Sequence, residues 1–312
     1  MCAIIVLAFL GAGWHVRATG QLPFLKRTNI WSIAVYEGTT PFDLLPIQQP
    51  NVPVLTHQDV TDVDALFVAD PFMIQDGAEW YMFFEVFNIE TNQGDIGLAR
   101  SSNGTQWQYQ RVVLDESHHL SYPFVFAAGE DWYMLPQSDT GVHLYRATRF
   151  PSDWVKQNSI LIDSHWADPT VFFHENCWWL FAGRSGTHDQ LHLFSATDLQ
   201  GDWMEHPQSP IVRDDAKSAR PGGRVFKYQD RLYRLGQDCV PKYGIELRAY
   251  RISRLTTSEY LEEAVDLPIV SRGVDGWNSA GMHHCDAHQM PTGKWRAVVD
   301  GHQKKWMLQA KP

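Results

Sequence analysis

An all-β chain folded as a five-bladed β-propeller is what this sequence predicts, and three observations predict it. The first is a recurring pattern: an apolar pair, a few turn-type residues, then an aromatic position opening a second strand. Its copies run Pro71-Phe72-Met73-Ile74 to Trp80-Tyr81, Pro123-Phe124-Val125-Phe126 to Trp132-Tyr133, and Pro169-Thr170-Val171-Phe172 to Trp178-Trp179. Weaker copies run Gly223-Arg224-Val225-Phe226 to Leu232-Tyr233 and Asp286-Ala287-His288-Gln289 to Trp295-Arg296, all with one offset. Strand-rich repeats of roughly 45–60 residues mark a closed radial array. The second observation is a repeated third-strand motif: Leu98-Ala99-Arg100 before Trp107, Leu144-Tyr145-Arg146-Ala147 before Trp154, and Leu193-Phe194-Ser195-Ala196 before Trp203. The third is Ile30 to Tyr36, a strand with no local partner, in a chain whose last repeat is one strand short. An open edge invites aggregation, so the N-terminal strand is expected to complete the C-terminal blade.

Blade one follows the turn-rich stretch from Pro46 to Pro53. Its strands are expected at Phe67–Ile74, Trp80–Phe87, Ile96–Ser101 and Trp107–Leu114, with tight turns at Asp76-Gly77 and Asn103-Gly104. The last blade offers Lys294–Val299 and Trp306–Gln309 as strands. No long helix is indicated, and Thr256 to Ala264 reads as at most a short helical turn. The expected domain organisation is a leader or linker over 1–28 and one propeller over 29–312. Ala3 to Trp14 is apolar but too short to span a bilayer, and no basic residue precedes it. No stable membrane span is expected, and the compartment, cytoplasmic or exported, stays open.

Composition narrows the partners. Thirteen Trp suit stacked sheets, where flat side chains fill the wedge between blades. A net charge of −10 without a long basic run argues against nucleic acid and anionic membranes, and suits a neutral or sugar-like ligand. Cys2, Cys177, Cys239 and Cys285 have no paired spacing, so buried free thiols are expected.

In a propeller the starts of the inner strands meet at one channel mouth. Asp70 and Asp168, each between Ala and Pro, occupy the same repeat position in blades one and three, with Tyr122 and Gly222 at that position in blades two and four. Such an Asp can serve as a base or merely cap backbone N–H groups. Five residues past each aromatic opener stand Glu85, Gln137, Gly183, Gln237 and Asp300, a polar ring on the second strands. Arg220 and Arg224 flank Gly222-Gly223 and are expected to pair with Asp70 or Asp238, or to fork onto an anionic ligand. In the run His283-His284-Cys285-Asp286-Ala287-His288, strand alternation sends His284, Asp286 and His288 to one face. A divalent cation there is conceivable, channel-lining hydrogen bonds are the plainer role, and no cofactor or metal is expected. Ser195 lacks a nucleophile elbow.

A family likeness rests on Glu85, Gly94-Asp95-Ile96-Gly97, His119-Leu120-Ser121-Tyr122-Pro123, Gly222-Gly223-Arg224, Gln237-Asp238-Cys239, Tyr243-Gly244 and His283-His284-Cys285-Asp286, in that order. From about Trp31 to Gly301 the chain resembles the N-terminal domain of plant glucosamine inositolphosphorylceramide transferases and its bacterial relatives. More distantly, the Asp-Pro strands look like the five-bladed arabinanases, β-xylosidases, invertases and levansucrases. The second resemblance implies an Asp base, an orienting Asp and a Glu acid. Asp70 matches the first by blade, whereas Tyr122 stands where the second Asp is expected and Asp168 lies one blade on. The closer likeness implies Pro-Glu where this chain has Pro136-Gln137, so an acid role there is lost or passes to Glu85.

The function expected is a carbohydrate-active propeller, a glycosidase acting on a glycan or glycoconjugate, with Asp70, Glu85 and Asp168 as catalytic candidates. Tyr122, Gln137, Arg220, Arg224, Gln237, Asp238, His284 and Asp286 are the substrate-binding candidates, with Tyr122 and Trp166 as rim aromatics for sugar faces. The alternative is a non-catalytic glycan-binding or scaffold domain.

Overall fold

The computed structural model describes residues 25–308 apart from 49, 162 and 164 and the side chain of 158. Residues 1–24, which hold the apolar stretch and most of the expected leader, lie outside the described residues, as does Cys2.

Five antiparallel sheets form the blades. Strands A to D, from the axis outward, are Ala65–Asp76, Glu79–Asn88, Gln93–Ser101 and Gln108–Leu114 in blade one, and Leu120–Ala128, Asp131–Ser138, Val142–Arg149 and Asp153–Leu161 in blade two. Blade three is Trp166–His174, Cys177–Arg184, Leu191–Ala196 and Met204–Glu205. Blade four is Phe226–Tyr228, Arg231–Asp238, Glu246–Leu255 and Tyr260–Ala264, with Val270–Ser271 also on strand C. Blade five joins the two ends of the chain: Cys285–Gln289, Trp295–Leu308, Leu25–Gly38 and Leu45–Pro46. The N-terminal segment therefore closes the ring, and it supplies two strands rather than one. The two C-terminal strands expected separately are one continuous strand, paired with Leu25–Gly38 from Leu25↔Leu308 to Gly38↔Trp295.

The repeated pattern folds as read because its alternation buries one apolar layer per blade interface. Phe83 meets Trp154 edge-on at 5.5 Å between blades one and two. Phe226 stacks on Tyr233 at 5.5 Å and meets Trp295 of blade five at the same distance. Among the described residues there is no α-helix, and only His57–Asp59 makes a 3-10 turn. The helical turn expected over Thr256 to Ala264 is instead strand D of blade four, because Tyr260–Ala264 pairs with Glu246–Leu255 across a Thr256–Glu259 turn. Blade five departs from the common offset: its A–B turn, Met290 to Lys294, is closed by Met290 N–H to the Lys294 carbonyl, so Asp286 falls one place later in register than Pro71. Cys177, Cys239 and Cys285 are free, the last two buried.

One backbone device recurs at the axis. Asp70, Tyr122 and Asp168 all take left-handed φ, at 53°, 47° and 51°, in a bulge where strand A gains a residue over strand B. The bulge turns each N–H toward the preceding blade. Asp70 N–H donates to Asp300 Oδ2 (3.0 Å), Tyr122 N–H to Asp70 Oδ2 (3.2 Å) and Asp168 N–H to Gln137 Oε1 (3.0 Å). Blade four continues the seam with Gly223, whose N–H donates to Tyr122 Oη (2.8 Å). Gly223 has φ 143°, and a Cβ there would stand 1.9 Å from the Cys285 carbonyl, so glycine alone fits.

Candidate active site

Strand A starts and strand B ends at one mouth of the channel, and this brings residues from all five blades together. Glu85 ends up opposite Ala69 and Gln137 opposite Ser121, while Gln237 N–H bonds the Arg220 carbonyl and Asp300 N–H the His284 carbonyl. The polar ring read from the sequence is thus one layer of the fold.

Asp70 is 7% exposed. Its Oδ2 accepts from Tyr122 N–H, while Oδ1 faces His283 Nε2 and His284 Nδ1, each at 3.9 Å. Burial pushes its carboxyl up to about 7; His283 opposes the shift, and Asp300 and Asp168 add to it. Glu85, 6% exposed, is pushed well above the usual carboxylate range, by burial first and then by Asp70, Asp300 and Asp168. Its Oε1 lies 3.7 Å from His119 Nε2. Gly94 N–H donates to His119 Nδ1 at 2.8 Å, which fixes the proton on Nε2 and aims it at Glu85. Burial holds the His119 ring below the ordinary histidine value, so it is neutral at physiological pH.

Asp168 is joined to the same mouth but is fully engaged. Arg220 forks onto it, Nε to Oδ2 at 2.6 Å and Nη2 to Oδ1 at 3.1 Å, and Gln237 Nε2 adds 2.8 Å to Oδ2. The expected pairing of Arg220 with Asp70 or Asp238 is therefore corrected to Asp168, the carboxylate one blade away that its fork reaches. Arg220 also contacts His188 Nδ1 at 3.0 Å and lies over the Tyr243 ring at 4.9 Å. Gln137 Oε1 accepts from Asp168 N–H and from Arg220 Nη2 (3.4 Å). Half-buried His119, Gln137, His188 and Tyr243 form the rim above the buried carboxyls.

Other candidates are placed elsewhere. Arg224 pairs with Asp286 (Nε to Oδ1, 2.7 Å), not with Asp70 or Asp238, and Nη2 holds the Val125 carbonyl. Asp286 also takes Met73 N–H and His288 Nε2, and although burial opposes ionisation, Arg224 and His288 hold its carboxyl below the usual range. This group ties blade five to blades one and two below the mouth. Asp238 accepts from Val240 N–H and faces Arg248 at 3.7 Å, on the blade four loop. Tyr122 and Trp166 are not rim aromatics: Tyr122 is wholly buried at the axis, and Trp166 lies under Arg184 at 4.1 Å.

Tyr122 instead spans the channel. Its hydroxyl accepts from Gly223 N–H, and because Thr170 Oγ1 spends its one proton on the Asp168 carbonyl (3.1 Å), Tyr122 donates to Thr170 Oγ1 (2.8 Å). Tyr122→Phe leaves Gly223 N–H buried and unpaired, and should cost about 1–3 kcal/mol in urea unfolding. A change below a few tenths would show that the relay does not hold the ring.

His284, Asp286 and His288 do not converge on one point: His284 lies edge-on to Phe72 and Tyr122, while His288 turns to Asp286. Among the described residues, Asp70, His283 and Asp300 are the group whose ligand atoms lie within 4.8 Å of one another. Asp300 Oδ1 is already held by His283 Nδ1 (2.8 Å) and by His284 N–H, and Oδ2 by Asp70 N–H. Burial works against its ionisation, but His283 and His284 keep the Asp300 carboxyl below the usual range. His119, His188, Tyr243 and His283 had no assigned role in the sequence reading. Their only signal was presence in the ordered motifs or, for His188, none at all, because its loop carries no repeat.

Comparison with known proteins places these residues in context. Residues 26–302 match the family model described as glucosamine inositolphosphorylceramide transferase 1, N-terminal. The chain is 39% identical over 310 residues to glucosamine inositolphosphorylceramide transferase 1 of Oryza sativa subsp. japonica, covering 91% of this chain and 41% of that protein. The Arabidopsis thaliana protein of the same name is 36% identical over 296 residues, covering 87% and 39%. The chain thus spans about two-fifths of the length of these relatives. Among solved structures, an exo-beta-1,3-galactanase from Clostridium thermocellum aligns with a TM-score of 0.57 at 12% identity, over 70% of this chain and 54% of that one. An exo-1,5-alpha-L-arabinanase from a bovine ruminal metagenomic library gives 0.56 at 10% identity, over 78% and 94%. Both show the five-bladed fold.

Proposed function

The chain belongs to the family of N-terminal domains of glucosamine inositolphosphorylceramide transferase 1, and on that premise we propose that its channel mouth takes a sugar residue of a glycoconjugate and cleaves the glycosidic bond. The observation that carries this reading is the pair Asp70 and Glu85: two buried carboxyls at one mouth, both raised above the usual carboxylate range, by burial first. Glu85 would keep its proton at neutral pH and give it to the leaving oxygen. Asp70, titrating near 7, would act ionised as base or nucleophile. Asp168 would not react; through Arg220 and Gln137 it would hold the rim in place. Gln137, Arg220 and Tyr243 would hydrogen-bond or stack on the sugar.

A purely binding role has two observations in its favour. Both Asp168 oxygens are taken by protein donors, and the blade two position is an amide that cannot donate an acidic proton. Released reducing sugar on a glycan panel, measured beside calorimetric binding, separates the two. For hydrolysis, turnover should rise as Asp70 ionises near pH 7 and fall at higher pH as Glu85 loses its proton. Asp70→Asn and Glu85→Gln should each lower kcat by about a hundredfold or more while binding persists. Binding without turnover in all three proteins would establish the binding role instead.

A further inference from the structure

Net charge argues against an anionic surface as partner, but the fold separates the charges. Strand B of blade five passes Asp300 at the mouth and continues from Gly301 to Leu308, still paired with Leu25–Ser32. The second strands of blades one, two and four stop at Asn88, Ser138 and Asp238, within a few residues of the mouth ring. At ~3.3 Å per residue this two-stranded ribbon stands roughly 25 Å above the mouth. Beside it, Arg27, Lys242 and Lys304 line a recess of about 510 Å³ whose single acidic lining residue is Asp275. Arg272 adds a fourth cation: burial and then Lys304, Arg272 and Arg27 push the Lys242 ammonium below the ordinary lysine value. Among the described residues, none of these four cations makes an ion pair within 4.0 Å, and what sets them apart is that they cluster at one recess with a single carboxylate in its lining.

Apolar side chains stand out on the same side. Val274, in the recess wall, is 103% exposed; Leu308 at the ribbon tip is 80% exposed and Trp306, opposite Arg27 in the ladder, 46%. Val240 and Lys242 share the loop that leads to Tyr243 on the mouth rim. We propose that this face docks on an anionic membrane surface, its cations against lipid phosphates and carboxylates and Val274, Trp306 and Leu308 in the interfacial layer. The combination of unpaired Lys and Arg with an exposed Trp and aliphatic tips fits a lipid interface. Docked so, the channel mouth opens on the membrane side of the ring.

Co-sedimentation with vesicles tests this without any sugar present, so its outcome is independent of the hydrolysis reading. The full chain should bind phosphatidylcholine vesicles containing phosphatidylserine, less as salt rises, and pure phosphatidylcholine vesicles weakly. Lys242→Glu with Lys304→Glu should lower the partition coefficient more than about tenfold, as each cation contributes severalfold. Val274→Asp should weaken binding too, with an unchanged melting midpoint. Lys294→Glu, in the turn that precedes the far end of the same strand, should have no effect. No binding at low salt, equal binding to both vesicle types, or a double reversal as tight as the parent would overturn the proposal.

Discussion

Arg220→Met should lose about 3–5 kcal/mol of stability, the largest single effect in the ring. The guanidinium is 8% exposed and Asp168 2%, so truncating the fork strands a carboxylate that water cannot reach. Gln237 Nε2 would be its one remaining side-chain donor, and that amide also holds the Pro221 carbonyl. Lysine is no substitute: Arg220 reaches Asp168 through Nε and Nη2, His188 through Nη1 and Gln137 through Nη2, a planar fork that one ammonium cannot reproduce. Urea unfolding at neutral pH measures the loss. The double variant Asp168→Asn, Arg220→Met should recover a large part of it, because the stranded charge is gone. A single-variant loss under about 1 kcal/mol would mean that Asp168 finds water or another donor.

Asp70→Asn should do the opposite and stabilise the protein on the alkaline side. The carboxyl of Asp70 is raised from 3.8 to about 7, so between those values the folded chain holds this proton more tightly than the unfolded chain does. Stability carried by that proton is complete at the acid end and drains away as pH climbs through the window. Above it the parent carries the whole deficit, an upper figure of roughly 4 kcal/mol at 1.4 kcal/mol per pH unit. Asparagine cannot ionise, tolerates the left-handed φ of 53°, and still accepts from Tyr122 N–H. Denaturant midpoints at about pH 5 and about pH 8 should show a gap in favour of Asn that widens with pH. A parent midpoint flat across that range would mean the carboxyl titrates near its ordinary value.

The fold was legible because the repeat signal is written in apolar and aromatic alternation, which is also what the blades bury. Ring closure was legible for a related reason, since an unpaired strand and an incomplete blade imply each other. The second strand donated at Leu45–Pro46 was not: two residues carry no periodicity. At the mouth, level could be read but partnership could not. Asp70 and Asp168 were assigned to one level from equal repeat position, and Glu85, Gln237 and Asp300 to a second on the next strand. Whether Arg220 met Asp168 or Asp70 depended on the angle between neighbouring blades, which no local pattern encodes. His284 shows the same boundary: alternation put it on one face with Asp286 and His288, while the aromatic rings of Phe72 and Tyr122 that surround it belong to other blades.

The bulge that turns each strand's first N–H toward its neighbour gives the acidic residues a second employment. Asp70 and Asp300 each accept such an amide, so both are fastenings of the annulus irrespective of any chemistry. A lineage that abandoned bond cleavage would still need them to keep its sectors shut. Glu85 receives no amide of this kind and carries a burial penalty as well, so drift should erase it first wherever catalysis is no longer selected. On the proposed hydrolytic reading, the glutamate at position 85 is therefore the residue expected to separate a working centre from a retired one across descendants of this architecture.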